Sequence, residues 1–293
     1  MNKLKHIYEK QYKKLLVIPF ALLFLAFVVI SLNVIKTGEV IDKGISLKGG
    51  TSVTIQTSHN LDTALLENKL NERFPDSEIR VITVTKTNQQ ESIVVETTLL
   101  NENELLDFLK ENIPDMGDDY SIQTIGPSLG ASFFRQTLIA IAIAFVFMSI
   151  VVFLYFRTFA PSSAVILAAF TDMVVTLAVL ILLDINITTA SVAAFLMVIG
   201  YSVDTDVLLC MRLLKRKYGT VFSRTLSSMG TGLLMSLTTL TAVTIAFIFS
   251  QAQVIKQIMI VLIIALIVDL FTTWFGTAGI VRWYLERKKS KKV

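Results

Sequence analysis

The stretch VILAAFTDMVVTLAVLILLDINITTASVAAFLMVIGYSVDTDVLLC, residues 165–210, decides the fold. It reads as two apolar runs, near 162–183 and 189–211. Each reaches the roughly 20 residues that a helix rising about 1.5 Å per residue needs to cross about 30 Å of hydrocarbon. Yet Asp172 lies inside the first run, and Asp204 and Asp206 inside the second. An acid at bilayer depth costs roughly 2.5 to 3.5 kcal/mol on insertion scales, so three of them in adjacent spans point to a device that handles protons or ions. The short 184–188 turn makes the two helices antiparallel neighbours, and counting from it puts Asp172 and Asp204 at similar depth.

Four further runs, near 15–35, 136–156, 228–249 and 257–281, bring the count to six. With 53% hydrophobic and only 17% charged residues, and a mean hydropathy of +0.65, the chain is too oily for an ordinary soluble domain. The fold class is a polytopic α-helical membrane protein with six transmembrane helices. The first run follows Lys3, Lys5, Lys10, Lys13 and Lys14 as a signal peptide would. It is long, however, and no small-x-small pattern closes it, so it reads as an uncleaved anchor.

The net charge of +4 does not mark a nucleic-acid binder, because the basic residues gather beside apolar runs rather than interleaving with aromatics. They are topology signals. Lysine and arginine concentrate at the N-terminus, in 212–224 and in the tail from Arg282. By the positive-inside rule these face the cytoplasm, which places both termini inside a cytoplasmic membrane and the long polar insertion outside.

Between residues 37 and 132 stand sixteen acidic against seven basic residues, so this insertion is an acidic extracytoplasmic module. Ser52–Thr57 alternates β-branched and polar residues as a half-buried strand does. Leu61, Leu65, Leu66, Leu70 and Phe74 recur at helical spacing behind Asn60 or Asp62 as caps. Ile79, Val81 and Val84, a polar turn near 86–90, and Ile93 with Val95 suggest a hairpin. A second helix over Glu102–Asn112 and a strand near Tyr120–Ile125 complete a βαββαβ, ferredoxin-like order. The resulting regions are 1–36, the cytoplasmic N-terminus and first span; 37–134, the outer domain; 135–283, a five-helix bundle; and 284–293, a basic cytoplasmic tail.

GISLKGG at 44–50 and TIGPSLG at 124–130 flank the domain. Gly49, Gly50, Gly126, Pro127 and Gly130 mark tight turns and close backbone approach where it meets the membrane, and read as hinges. Cys210 has no partner for a disulfide or a metal cluster, His6 and His59 are isolated, and neither a P-loop nor a GxGxxG is present. The sequence thus calls for no cofactor, no metal and no enzymatic chemistry.

GISLKGGTSVTI, TIGPSLG and VIGYSVDTDVLLCMRLLKRKYG at 198–219 together resemble the SecF subunits of the Sec protein-export machinery, within the resistance-nodulation-division superfamily. Six spans with one large outer domain after the first is that superfamily's half-transporter plan. The third span carries Thr171 before Asp172 where bacterial members usually have a His-Asp pair. The fourth reads VDTD rather than an Asn-Asp form, and LKGG is closer to the sister SecD version; together these are similar to an archaeal SecF. The resemblance implies an export accessory driven by the proton or ion motive force. It implies a SecD-like partner, a Sec translocon channel and a preprotein as associates, membrane lipids around it, and no nucleic acid. A homodimer is the plain alternative to the SecD-like partner.

Asp172, Asp204 and Asp206 form the expected polar centre, with Arg212 nearer the cytoplasmic edge as a gate or countercharge; the resemblance assigns proton-path roles to Asp172, Asp204 and Arg212. Asp204 and Arg212 are eight residues, roughly 12 Å, apart along one helix, so any pairing runs through another helix or water. A plainer reading has the acids bonding neighbouring Ser and Thr and fixing packing, with Arg212 anchoring a helix at the headgroups. Asp269, beside Thr272, Thr273 and Trp274, suits a packing role at least as well as a relay one, and stands outside the set. Ala193, Ala194, Gly200, Gly230, Gly232 and Ser236 suit close helix contacts. Proton and sodium coupling stay open, as do a half-size exporter of small molecules or lipids and a non-transporting scaffold of the translocon.

Overall fold

The computed structural model describes residues 12–57, 61–75, 77–86, 89–98, 101–113, 116, 120–215, 220–250 and 252–290. Most of the lysine-rich start, Asn60, His59, positions 216–219 of the basic loop and the last three residues lie outside these. The chain divides into two compact units, one of the residues up to Asp42 with Ile139–Ile185 and Ala190 onward, the other of Lys43–Leu138 with Asn186–Thr189.

The apolar runs are helices, in the first unit except for the start of α4 up to Leu138 and of α6 at Thr189: α1 (Val17–Thr37), then, after the sheet-bearing insertion, α4 (Pro127–Phe156), α5 (Phe159–Leu182), α6 (Thr189–Lys215), α7 (Val221–Phe249) and α8 (Gln253–Phe271). A π-helical turn over Thr272–Thr277 continues α8 into α9 (Ala278–Ser290). Six helices, the last running through that turn, are long and apolar enough to cross a membrane. Half of the apolar window of α5 and of α6 is buried within the chain, against 6% for α4. Thus α5 and α6 are inner helices, and α4 spends its apolar surface on an apolar surrounding. α5 packs against α1, α8 and the π-helical turn.

The turns between helices have readable causes. Arg157 and Asp184, at φ 50° and 55°, take the left-handed conformation that closes a helix C-terminus. The Arg157 amide reaches back to the Phe153 carbonyl, and the Ile185 amide to Leu180. Thr220 caps α7 by accepting from the Ser223 amide at 3.2 Å. At one end of the bundle, buried Arg282 stacks 4.1 Å over the Tyr12 ring and donates to Glu286 at 2.8 Å, while the Tyr12 hydroxyl donates to the same carboxylate.

The second unit holds β1 (Gly50–Gln56), α2 (Thr63–Arg73), β2 (Ile79–Lys86), β3 (Gln89–Thr97), α3 (Glu102–Asn112) and β4 (Tyr120–Ile125). All pairings are antiparallel and the spatial order is β2-β3-β1-β4, the ferredoxin-like βαββαβ arrangement. Asp62 caps α2 by accepting from the Ala64 and Leu65 amides. One face of the sheet presents Val53, Ile55, Ile93 and Val95, and Leu66, Leu70, Leu105 and Leu109 cover it from the two helices. A bulge between Val84 and Thr85 adjusts the hairpin.

Candidate functional site

Three helical segments place acids in one buried group. Asp172 on α5, Asp206 on α6 and Asp269 on α8 are 0%, 0% and 1% exposed. Ser202, one turn before Asp206, donates its hydroxyl to Asp172 Oδ2 at 2.6 Å, and Thr272 donates to Asp172 Oδ1. Thr273 donates to Asp269 Oδ1 at 3.1 Å. Asp269 lies close enough to bring its charge to bear on both Asp172 and Asp206. The Thr273 and Thr277 hydroxyls face Asp206, but neither Asp206 oxygen closes a hydrogen bond of good geometry. Among the described residues, none of the three acids is in an ion pair with a lysine or arginine.

The backbone explains why these groups meet. Ser202 and Asp206 are four residues apart and so share a face of α6. On the sixth span, Asp269, Thr272 and Thr273 stand at spacings of three and four. The π-helical turn, with one residue more per turn, keeps Thr272, Thr273 and Thr277 all buried. Gly232 on α7 provides the clearance for the Trp274 ring of that turn: a Cβ there would lie 2.5 Å from its Cζ2. Gly276 likewise accommodates Pro19 of α1.

The family described as Protein export membrane protein SecD/SecF, C-terminal, matches residues 107–287. The Protein-export membrane protein SecF of Methanocaldococcus jannaschii is 37% identical over 97% of this chain and 99% of its own length. The chain belongs to the SecF family. Its counterpart from Pyrococcus furiosus is 36% identical, over 99% of this chain and 97% of the relative. Among solved structures, SecDF, a translocon-associated membrane protein from Thermus, superposes with a TM-score of 0.77 at 20% identity, over 94% of this chain. This chain spans 38% of the length of that protein. A second SecDF structure, in a super-membrane-facing form, gives 0.55 at 19%. At such identities the likeness is one of fold.

Within this SecF-family chain the structure brings together two of the acids expected from sequence, Asp172 and Asp206, and joins to them Asp269, which sequence reasoning set aside. Asp204 is elsewhere. Two residues before Asp206, it is turned about 200° around the helix and lies exposed on the side of α6 that also exposes Ala193 and Gly200. Arg212 faces α7, donating to Thr231 Oγ1 at 2.7 Å and to the Ser227 carbonyl at 3.2 Å. Of the small residues, Ala194, Gly232 and Ser236 are buried in helix contacts, whereas Gly200 and Gly230 have open space beside them.

The junction glycines are close-packed. Gly49, at φ 92°, has the Pro127 Cα 2.6 Å from where a Cβ would stand, and Gly130, inside α4, has the Gly49 amide nitrogen at 2.6 Å. Gly50, at φ 140°, lies against the Thr97 carbonyl. Pro127 opens α4, a position where a missing amide hydrogen costs nothing. Gly126 differs from these: a Cβ there would meet no atom within 4 Å, so the position has room for a side chain.

Proposed function

We propose that this SecF-family chain is an accessory subunit of the Sec protein-export machinery that couples the proton or ion motive force to export and performs no covalent chemistry. The observation that carries the proposal is the buried Asp172–Asp206–Asp269 group with its ring of hydroxyl donors. Three carboxylates in a low-dielectric interior, with no described lysine or arginine among them, cannot all remain ionised together. Protons or small cations must therefore balance them, and the number bound changes with the arrangement of the helices. A group of this kind, loaded from one side of the membrane and unloaded to the other, turns a gradient into movement.

The polarity follows the positive-inside rule, with both termini in the cytoplasm and the sheet-bearing unit outside, where it meets emerging preprotein. The segments around Gly49, Gly50, Gly126, Pro127 and Gly130 carry movement to that unit. A SecD-like subunit completes the assembly. The exposed flank of α6 supports this, since Asp204 facing acyl chains is costly and Ala193 and Gly200 on the same flank suit close approach by another helix. The match to 38% of the longer SecDF chain is in keeping with it. Arg212 holds α6 to α7 rather than serving as countercharge to the buried acids.

The test is export into vesicles with and without an imposed gradient, for Asp172→Asn and Asp269→Asn. The proposal expects the gradient-stimulated component to vanish and basal export to persist. A scaffold role would leave stimulation intact in both variants. Repeating the assay with a sodium gradient and a proton uncoupler identifies the ion.

A further inference from the structure

Residues Asn186–Thr189 join α5 to α6, the helices that carry Asp172 and Asp206, yet they pack within the sheet-bearing unit. The Gly44 amide donates to the Ile187 carbonyl at 2.9 Å, and Lys43 and Ile187 form an isolated parallel β-bridge. The Thr189 amide donates to Ser46 Oγ at 3.1 Å. Gly44 is buried, and a Cβ on it would stand 2.7 Å from Thr188 Cγ2, so a side chain there fits only by turning the Thr188 methyl aside. Downstream of this contact come the short helix Ile45–Lys48 and then Gly49, whose backbone abuts Pro127 and Gly130 at the start of α4. Lys43 Nζ also lies 5.0 Å from the Phe134 ring centroid in the first turns of α4. Side chains packed this tightly and backbones bonded as strand to strand do not act as a flexible joint.

We propose that Asn186–Thr189 is a permanent clasp, fixing the α5–α6 turn to the Lys43–Gly49 segment so that a shift between the acid-bearing helices leaves the membrane through this loop as a rigid-body movement of the sheet-bearing unit. The clasp rests on the proton-driven reading above and says where its movement is delivered. It assigns Gly44, Gly49 and Gly130 to close contact, and denies them the freedom that a hinge requires. A loop attached at both covalent ends to moving helices and along its length to Lys43–Ser46 has no slack in which to absorb a displacement.

The experiment uses the full chain together with its SecD-like partner subunit in lipid vesicles, in a Cys210→Ala background, with two spin-label pairs. Thr189→Cys with Gln123→Cys, both exposed, spans the clasp and the sheet; Gln123→Cys with Phe249→Cys spans the sheet and the end of α7. On imposing a gradient, the first distance is expected to stay fixed and the second to shift. A change in the first overturns the clasp while leaving the proton-driven reading standing. A static second distance overturns both, because nothing is then delivered. A functional arm joins Gly44→Cys to Asn186→Cys, where the expected Cβ separation of 3.7 Å lies in the range of about 3.5–4.5 Å that a disulfide needs. Oxidised and reduced forms should export within about twofold of each other; loss of gradient stimulation on oxidation, or failure to crosslink in folded protein, rejects a permanent attachment.

Discussion

Thr272 gives its hydroxyl hydrogen to Asp172 across 100 positions of sequence, and so fastens the sixth span to the third at the centre of the buried acid group. Thr272 is also the first residue of the π-helical turn. Ser202 supplies the second donor to the same carboxylate from α6. Two helices thus converge on one side chain of a third.

Replacing Thr272 by valine keeps the shape and removes the donor. Leaving a buried acceptor short of a partner costs about 1–3 kcal/mol. Thermal unfolding in detergent should show that loss for Thr272→Val, and Thr272→Ser should restore most of it. Equal stability of all three would mean that the bond contributes nothing to the packing.

Moving one charge through about 100 mV is worth about 2.3 kcal/mol, a bias of about fiftyfold. Removing a coupling acid should therefore lower gradient stimulation by up to about that factor. Asp172→Asn, Asp206→Asn and Asp269→Asn are expected to do so in the vesicle assay, whereas Asp204→Asn should weaken capture of the partner subunit and leave stimulation intact where the partner is fused. Loss of stimulation in the fused Asp204→Asn form would restore that residue to the relay.

Gly232 and Gly230 differ by two positions and should differ in tolerance. Alanine at 232 meets the Trp274 ring, and overpacking of a tight core typically costs about 1–3 kcal/mol. Alanine at 230 enters open space. Melting temperatures of Gly232→Ala and Gly230→Ala in the same detergent test the contrast; a neutral Gly232→Ala removes the claim that this glycine seats the tryptophan.

The junction offers a parallel pair. Gly49→Ala adds a Cβ against Pro127 at a left-handed φ of 92°, and strain of this kind costs about 1–3 kcal/mol before any clash is counted. Gly126→Ala meets nothing. Amide exchange across β1 and the start of α4 should accelerate in the first variant only.

In the sheet-bearing unit, burial raises the Glu96 carboxyl above its ordinary 4.5, with the nearby Arg80 partly opposing the shift. A folded-state value above the unfolded one means that the native state holds the proton more tightly. Its contribution to stability is present below about 4.5 and is lost as pH rises through the higher folded value. Glu96→Gln should then slow amide exchange of β1 and β3 at pH 7, with the advantage shrinking towards pH 4. An advantage that grows on acidification contradicts the assignment.

Much of the candidate site is legible in retrospect from helical spacing. Ser202 and Asp206 at i and i+4 announce a shared face, and Asp204, at i+2, must point away from it. Asp269 with Thr272 and Thr273 carries the same i, i+3, i+4 signal in a span otherwise apolar. What spacing omits is the π-helical turn, which rephases Thr273 and Thr277, and the choice of which face of each helix turns inward.

The sequence alone determined the six spans, the βαββαβ order of the insertion and the presence of acids at membrane depth, because apolar run length, alternation period and the cost of burying charge are local properties of the chain. Tertiary structure decided that Asp269 and not Asp204 joins Asp172 and Asp206, that Arg212 bonds to α7, and that Gly44, Gly49 and Gly130 stand in close contact with their neighbours. These outcomes depend on which faces pack together, and that is set by the fit of distant side chains such as Trp274 against Gly232.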